Sequence, residues 1–181
     1  MSDAGEAGRS ERAAWTERWP SGRSSEPLDT MSAQAFLAGL GPEHAVTMSD
    51  LGVPVGLLAG QRLFSEGGKA DRFWLLVSGL VALDVHVPGR GRVPLETLGP
   101  GQLLGWSWLD PPYRWHFGAV TREQTEALEF DAAAVRERCD ADPGFGYALV
   151  RRFVPVLVDR LQATRVRLLD LYAPQAQAPA P

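Results

Sequence analysis

The chain has 181 residues, 45% of them hydrophobic and 22% charged, which suits one domain with a buried core and flanking tails. A net charge of -4 excludes a general electrostatic affinity for nucleic acid, and a single cysteine, Cys139, excludes an internal disulfide and a thiolate zinc site. No apolar run of about 18 residues exists and the charged N-terminus lacks a signal-peptide core, so no membrane association is expected and the cytoplasm is the default compartment.

Residues 1–32, rich in Ser, Gly, Glu and Arg, read as a disordered extension. Trp15 and Trp19 stand out there, because at i,i+4 they would share one face of a short helix. Phe36, Leu37 and Leu40 then mark an apolar helical face, and Pro42 after Gly41 opens a second short helix. From about 53 to 130 the rhythm is strand-like. Short apolar runs (VPVGLLA, RFWLLV, LVALDVHV, VPLETL, EALEF) are punctuated by Gly and Pro. In LVALDVHV, Val81, Leu83, Val85 and Val87 alternate with Ala82, Asp84 and His86. The turn PGRG joins VHV to RVPLE as a hairpin. Strands at this spacing predict a barrel, sandwich or roll over 33–141.

After residue 131 the pattern is helical. Asp131 is a candidate N-cap, and Asp142 before Pro143 marks another helix start. Cys139 reads as a small half-buried residue of the first of these helices. Val150, Val154, Leu157, Leu161, Thr164, Leu168 and Leu171 then form a heptad seam that calls for a partner, either a second chain or the flank of the β-domain. Pro155 has no N–H and is expected to break this segment into a short helix to about 152 and a longer one beyond. Arg160, Arg165 and Arg167 read as a solvated face. The segment 142–172 is thus a pair of C-terminal helices for hinging and dimerisation, and 173–181 is a disordered Pro/Ala tail.

The stretch LLGWSWLDPPYRWHFGAV, residues 103–120, holds three of the six tryptophans. Trp106, Trp108, Tyr113, Trp115 and Phe117 either stack on a flat ligand or fill a pocket as core, the commoner fate of such a cluster. Arg114 either binds an anion or is a surface or ring-stacked arginine, and Ser107 is a further candidate donor. Histidines at 44, 86 and 116 lack the His-x-His spacing of a metal site, and no nucleophile elbow, P-loop or C-x-x-C is present. No catalytic residue is expected.

LLAGQRLFSEGGKADRFWLLVSGLVAL resembles the cyclic-nucleotide-binding domain of the catabolite activator protein family. The likeness rests on Gly60, Phe64, Glu66-Gly67, Ala70 and Ser78-Gly79, and continues in LETLGPGQLLG through Leu98, Gly99, Gly101 and Gly105. It covers roughly residues 33 to 172. It implies a mainly β fold with α: a jelly-roll β-roll (double-stranded β-helix) flanked by short N-terminal helices and two C-terminal helices, the last long. It implies binding rather than catalysis, with cAMP or cGMP as the ligand. The family's phosphate cassette begins Gly-Glu and ends with an arginine followed by a small residue and Ser or Thr. Here Gly105 fits, Trp106 replaces the glutamate, Arg114 falls one residue early, and no Ser or Thr follows it.

The ligand-binding set implied is Gly105, Trp106, Ser107, Arg114, Trp115 and Thr164; in relatives the long helix closes over the base, and Arg160, Gln162 and Thr164 are the polar residues nearest such a lid. Only about nine Pro/Ala-rich residues follow Tyr172, so no helix-turn-helix and no direct DNA binding are expected. The chain reads as a regulatory sensor of a cyclic nucleotide or other small anion, homodimeric, with an unidentified protein partner. The alternative is a ligand-free dimeric scaffold plugged by its tryptophans.

Overall fold

The computed structural model describes residues 36, 37 and 39–172, with side chains through 169. The expected extension 1–32 with Trp15 and Trp19, the tail 173–181 and the side chain of Leu171 lie outside the described residues.

The chain is helical at Phe36 and Leu37, and Phe36 and Leu40 are buried. Helix α1 (Pro42–Leu51) starts at the proline, with Gly41 at φ 84° as its N-cap and Met48 buried. Eight strands follow among the described residues: β1 (Gly52–Leu57), β2 (Arg62–Phe64), β3 (Arg72–Ser78), β4 (Val81–Val87), β5 (Gly91–Leu98), β6 (Leu103–Leu104), β7 (Gly118–Thr121) and β8 (Thr125–Asp131). They form two antiparallel sheets, ordered β1-β8-β3-β6 and β2-β7-β4-β5. This is a jelly roll, in which successive strands, apart from the hairpin β4-β5, alternate between the two sheets that enclose one core. The hairpin around PGRG pairs Val87 with Gly91 and Val85 with Val93.

Strand alternation divides the aromatic residues. Phe73 and Phe130 point to the face that meets the C-terminal helix. Phe73 stacks on Trp108 at 4.6 Å and on Phe130 at 4.8 Å, and meets Phe153 edge-on at 5.8 Å. Trp74, one residue on, faces Phe64 of the other sheet at 5.7 Å and so lies inside the roll.

The simple alternation expected for β4 holds less well. Ala82 and Asp84 are buried along with Val81 and Leu83, because the first half of the strand is covered on both faces. Asp84 tolerates this through an ion pair with Arg62 at 2.7 Å. Gly118, opposite it in register, leaves the space, since a Cβ there would collide with the Asp84 carboxylate and the Arg62 guanidinium.

Helix α2 (Ala132–Ala141) is capped by Asp131, whose side chain accepts from Ala134 N–H at 2.9 Å. Cys139 is half-buried on it. Asp142 accepts from Phe145 N–H at 3.1 Å and starts α3 (Pro143–Tyr172), which is continuous over 30 residues. The break expected at Pro155 does not occur. Arg151, whose carbonyl has no N–H to accept from at Pro155, and Pro155 are both exposed, so the freed carbonyl is on the side open to solvent. Phe145, Leu149 and Phe153, on the opposite side, hold the helix to the roll. Among the described residues no helix is long and apolar enough to cross a membrane.

Candidate functional site

The site is built on the loop between β6 and β7. Strand β6 pairs with β3, Leu104 opposite Trp74, and the chain leaves it at Gly105, where φ is 84°. Such a φ strains any residue with a Cβ. Residues 105–117 then form turns without a helix, with Tyr113 at φ 54°.

Residues 113–115 return beside 67–70. Gly67 N–H donates to Trp115 O, Trp115 N–H to Gly68 O and Ala70 N–H to Tyr113 O, at 2.7–2.8 Å. Extended pairing makes neighbouring side chains alternate. Trp115 therefore turns inward and Arg114 outward. Arg114 is exposed and donates to Gly67 O at 2.8 Å. Gly67 makes its turn at φ 77°, and Glu66 beside it accepts from His86 N–H at 3.1 Å.

Trp115 is buried. Its ring stacks on Phe64 at 3.8 Å and lies 6.2 Å from Trp74. Trp106 stacks on His116 at 5.1 Å, and Ser107 Oγ and His116 Nδ1 share a hydrogen bond of 2.9 Å. Tyr113 carries Arg136 over its ring at 4.3 Å. Trp108 belongs to the opposite face with Phe73 and Phe153. The aromatic stretch is thus several separate contacts.

The remaining cavity beside Gly105 is about 10 Å³, lined by Phe64, Leu83, Gly105, Trp106, Ser107, Trp115, Phe117 and Arg160. That is the order of one water molecule, against the roughly 300 Å³ or more of a small-molecule pocket. Of the six residues singled out from sequence, Gly105, Trp106, Ser107 and Trp115 line this cavity; Arg114 and Thr164 do not. Thr164 is exposed, and its hydroxyl donates to Arg160 O within its own helix at 2.8 Å.

Arg160, which reads from the sequence as part of a solvated face and, through the resemblance, as one of the polar residues nearest a lid over the site, is packed against the roll and lines the cavity. Its Nη2 donates to Leu103 O at 2.6 Å, and its Nε lies 3.9 Å from Glu96 Oε2. Only 15% of its side chain is exposed. Burial lowers its pKa, and the Glu96 charge opposes that shift in part. Arg167 likewise donates to Leu95 O. The sequence signal available was their spacing of seven, which puts both on one helix face.

A second cleft of about 320 Å³ is lined by Leu57, Gln61, Leu63, Asp71, Arg72, Trp74 and Glu129. Glu129 there is already satisfied, by Arg72 Nη1 at 2.7 Å and Trp74 Nε1–H at 2.8 Å.

Residues 54–142 match the family model of the cyclic nucleotide-binding domain. The chain is 29% identical over 146 residues to a CRP-like cAMP-activated global transcriptional regulator of Mycobacterium tuberculosis, an alignment covering 80% of this chain and 63% of the regulator. The chain therefore spans less than two thirds of the curated relatives it matches. Among solved structures, it is similar to the catabolite activator protein of Thermus thermophilus (25% identity, TM-score 0.61, 76% of this chain and 62% of that one). It shares the fold of a cyclic nucleotide-binding domain from Methylobacillus flagellatus (16% identity, TM-score 0.69, 78% and 83% covered). Residues 54–142, about half of the chain, are a domain of the cyclic nucleotide-binding family.

Proposed function

We propose that the chain is a regulatory module of this family whose nucleotide site is filled by its own side chains, so that it works as a ligand-free scaffold or interaction subunit. The observation that carries this reading is Trp115. Its indole, stacked on Phe64, occupies the space in front of Gly105 and leaves about 10 Å³. The polar groups favour the same reading. Trp106 stands where a ribose acceptor would be needed, and an indole N–H only donates. Arg114 is bonded to Gly67 O on the outside of the loop. In this reading the module acts by contact, without catalysis. Val150, Val154, Leu161 and Leu168, apolar and about half exposed along α3, are then covered by a second copy of the chain, and the dimer presents its surface to a protein partner.

A second reading, a sensor of a cyclic nucleotide or other small anion, draws on one observation. Gly105 and Ser107 line the cavity while Arg114 sits on the same loop, so an outward swing of Trp115 would expose a glycine turn, a hydroxyl and a nearby cation together. Titration calorimetry of the folded chain with cAMP and cGMP at millimolar concentration separates the two. The scaffold reading expects no saturable heat. Saturable heat that is lost in Arg114→Ala would overturn it in favour of the sensor.

A further inference from the structure

The cavity beside Gly105 has a lid, and the lid is fastened by the chain itself. Arg160 projects from α3 into the cavity wall and donates to Leu103 O at 2.6 Å, two residues before Gly105. A cation with 15% of its side chain exposed needs partners to offset desolvation. Arg160 has the Leu103 carbonyl and, at 3.9 Å, the Glu96 carboxylate of β5. Two helical turns further on, about 10 Å along the axis, Arg167 donates to Leu95 O, also of β5. Two attachments on one helix face fix the direction of α3 as well as its distance from the roll.

We infer that Arg160 is a built-in tether that holds α3 closed over the Gly105 cavity in place of a ligand. This inference rests on the closed-site reading above and gives it a cause. The helix stays in one position because Arg160 joins it to the strands leading into and beside the site. A partner that recognises α3 therefore meets the same surface whether or not nucleotide is present.

Amide hydrogen exchange of the full chain without nucleotide is the test, comparing wild type with Arg160→Ala and, as control, Arg165→Ala. Arg165 is an exposed arginine of the same helix. Alanine is the strongest helix former, so faster exchange reports the lost tether rather than lost helix propensity. The expected result is exchange about tenfold faster or more over residues 156–169 in Arg160→Ala, with β3 and β8 still protected and Arg165→Ala close to wild type. Exchange in Arg160→Ala no faster than in Arg165→Ala would overturn the inference, as it would if a second copy alone held the helix. Should Arg160→Ala fail to fold, Glu96→Gln takes its place. It removes the charge partner only, so a smaller acceleration over the same residues is expected and none would overturn the inference. Failure of the closed-site reading is seen separately, as nucleotide binding by the wild-type chain.

Discussion

Trp115 occupies the space that a side chain on Gly105 would need. A Cβ at 105 would stand 2.8 and 2.9 Å from two carbons of the indole ring. The positive φ of Gly105 and the inward turn of Trp115 thus support one closed arrangement. Gly105→Ala meets both a strained backbone and an immovable ring. A loss of about 1–3 kcal/mol of stability is expected, read from urea unfolding. An unchanged midpoint would show that the ring moves freely.

Trp115→Ala removes the plug itself. The ring is buried and stacked, so truncation should cost about 3–5 kcal/mol. The opened cavity should bind a small apolar probe, followed by xenon or benzene shifts in the NMR spectrum. A well-folded variant with wild-type stability would mean that Phe64 and Trp74 close the gap unaided.

Asp84→Asn tests the pair inside the roll. Arg62 would keep its charge with no carboxylate at hand, though 28% of its side chain reaches solvent. A cost of about 1–3 kcal/mol is expected. Gly118→Ala should show a similar loss by pushing the two partners apart, and the double variant should fall well short of the sum. Simple additivity would argue that glycine and ion pair act independently.

The Cys139 thiol is pushed above the ordinary thiol range, first by burial and then by the charges of Asp140 and Asp142. The folded state therefore holds this proton more tightly than the unfolded state. Its contribution to stability is complete below the unfolded thiol pKa and is lost as pH rises through the raised folded value. Alkylation by iodoacetamide, followed against pH, should show a midpoint displaced to the alkaline side of glutathione. A midpoint at or below that of glutathione would contradict the burial.

Leu161→Glu probes the α3 seam. If a second copy covers it, light scattering should report a dimer for the wild type and a monomer for the variant. The thermal transition of the roll should remain, because Leu161 is exposed in the single chain. A monomeric wild type would remove the second copy as occupant.

Residues with local signals were legible in the sequence. Asp131 and Asp142 cap their helices through bonds spanning three residues, and β3, β4, β5 and β8 are apolar runs between turns. Strand β2 is marked only through the resemblance, by Gly60 and Phe64, and β6 and β7 carry no signal, since two and four residues hold too little period to register. They exist because distant partners hold them, as Trp74 holds Leu104 in register. The same applies at the site. The resemblance puts Gly105 and Trp115 at the site, but that Trp115 faces in and Arg114 out depends on pairing with 67–70, more than forty positions earlier. The resemblance puts Arg160 near a lid, but its partners, Leu103 and Glu96, are remote in sequence and give no local signal. That α3 runs through Pro155 has no local signal either, because it rests on the exposure of Arg151 and Pro155 and on the packing of Phe145, Leu149 and Phe153 against the roll.

The stack of Phe64, Trp115 and Trp74 has an optical consequence. Two indoles 6.2 Å apart at a fixed tilt of 27° exchange excitation energy within one asymmetric frame. The folded chain should therefore carry an exciton band of its own in the far-ultraviolet dichroism, where indole absorbs strongly. That band should vanish in any state where the plug has left its seat, which gives the site a reporter needing no dye and no ligand.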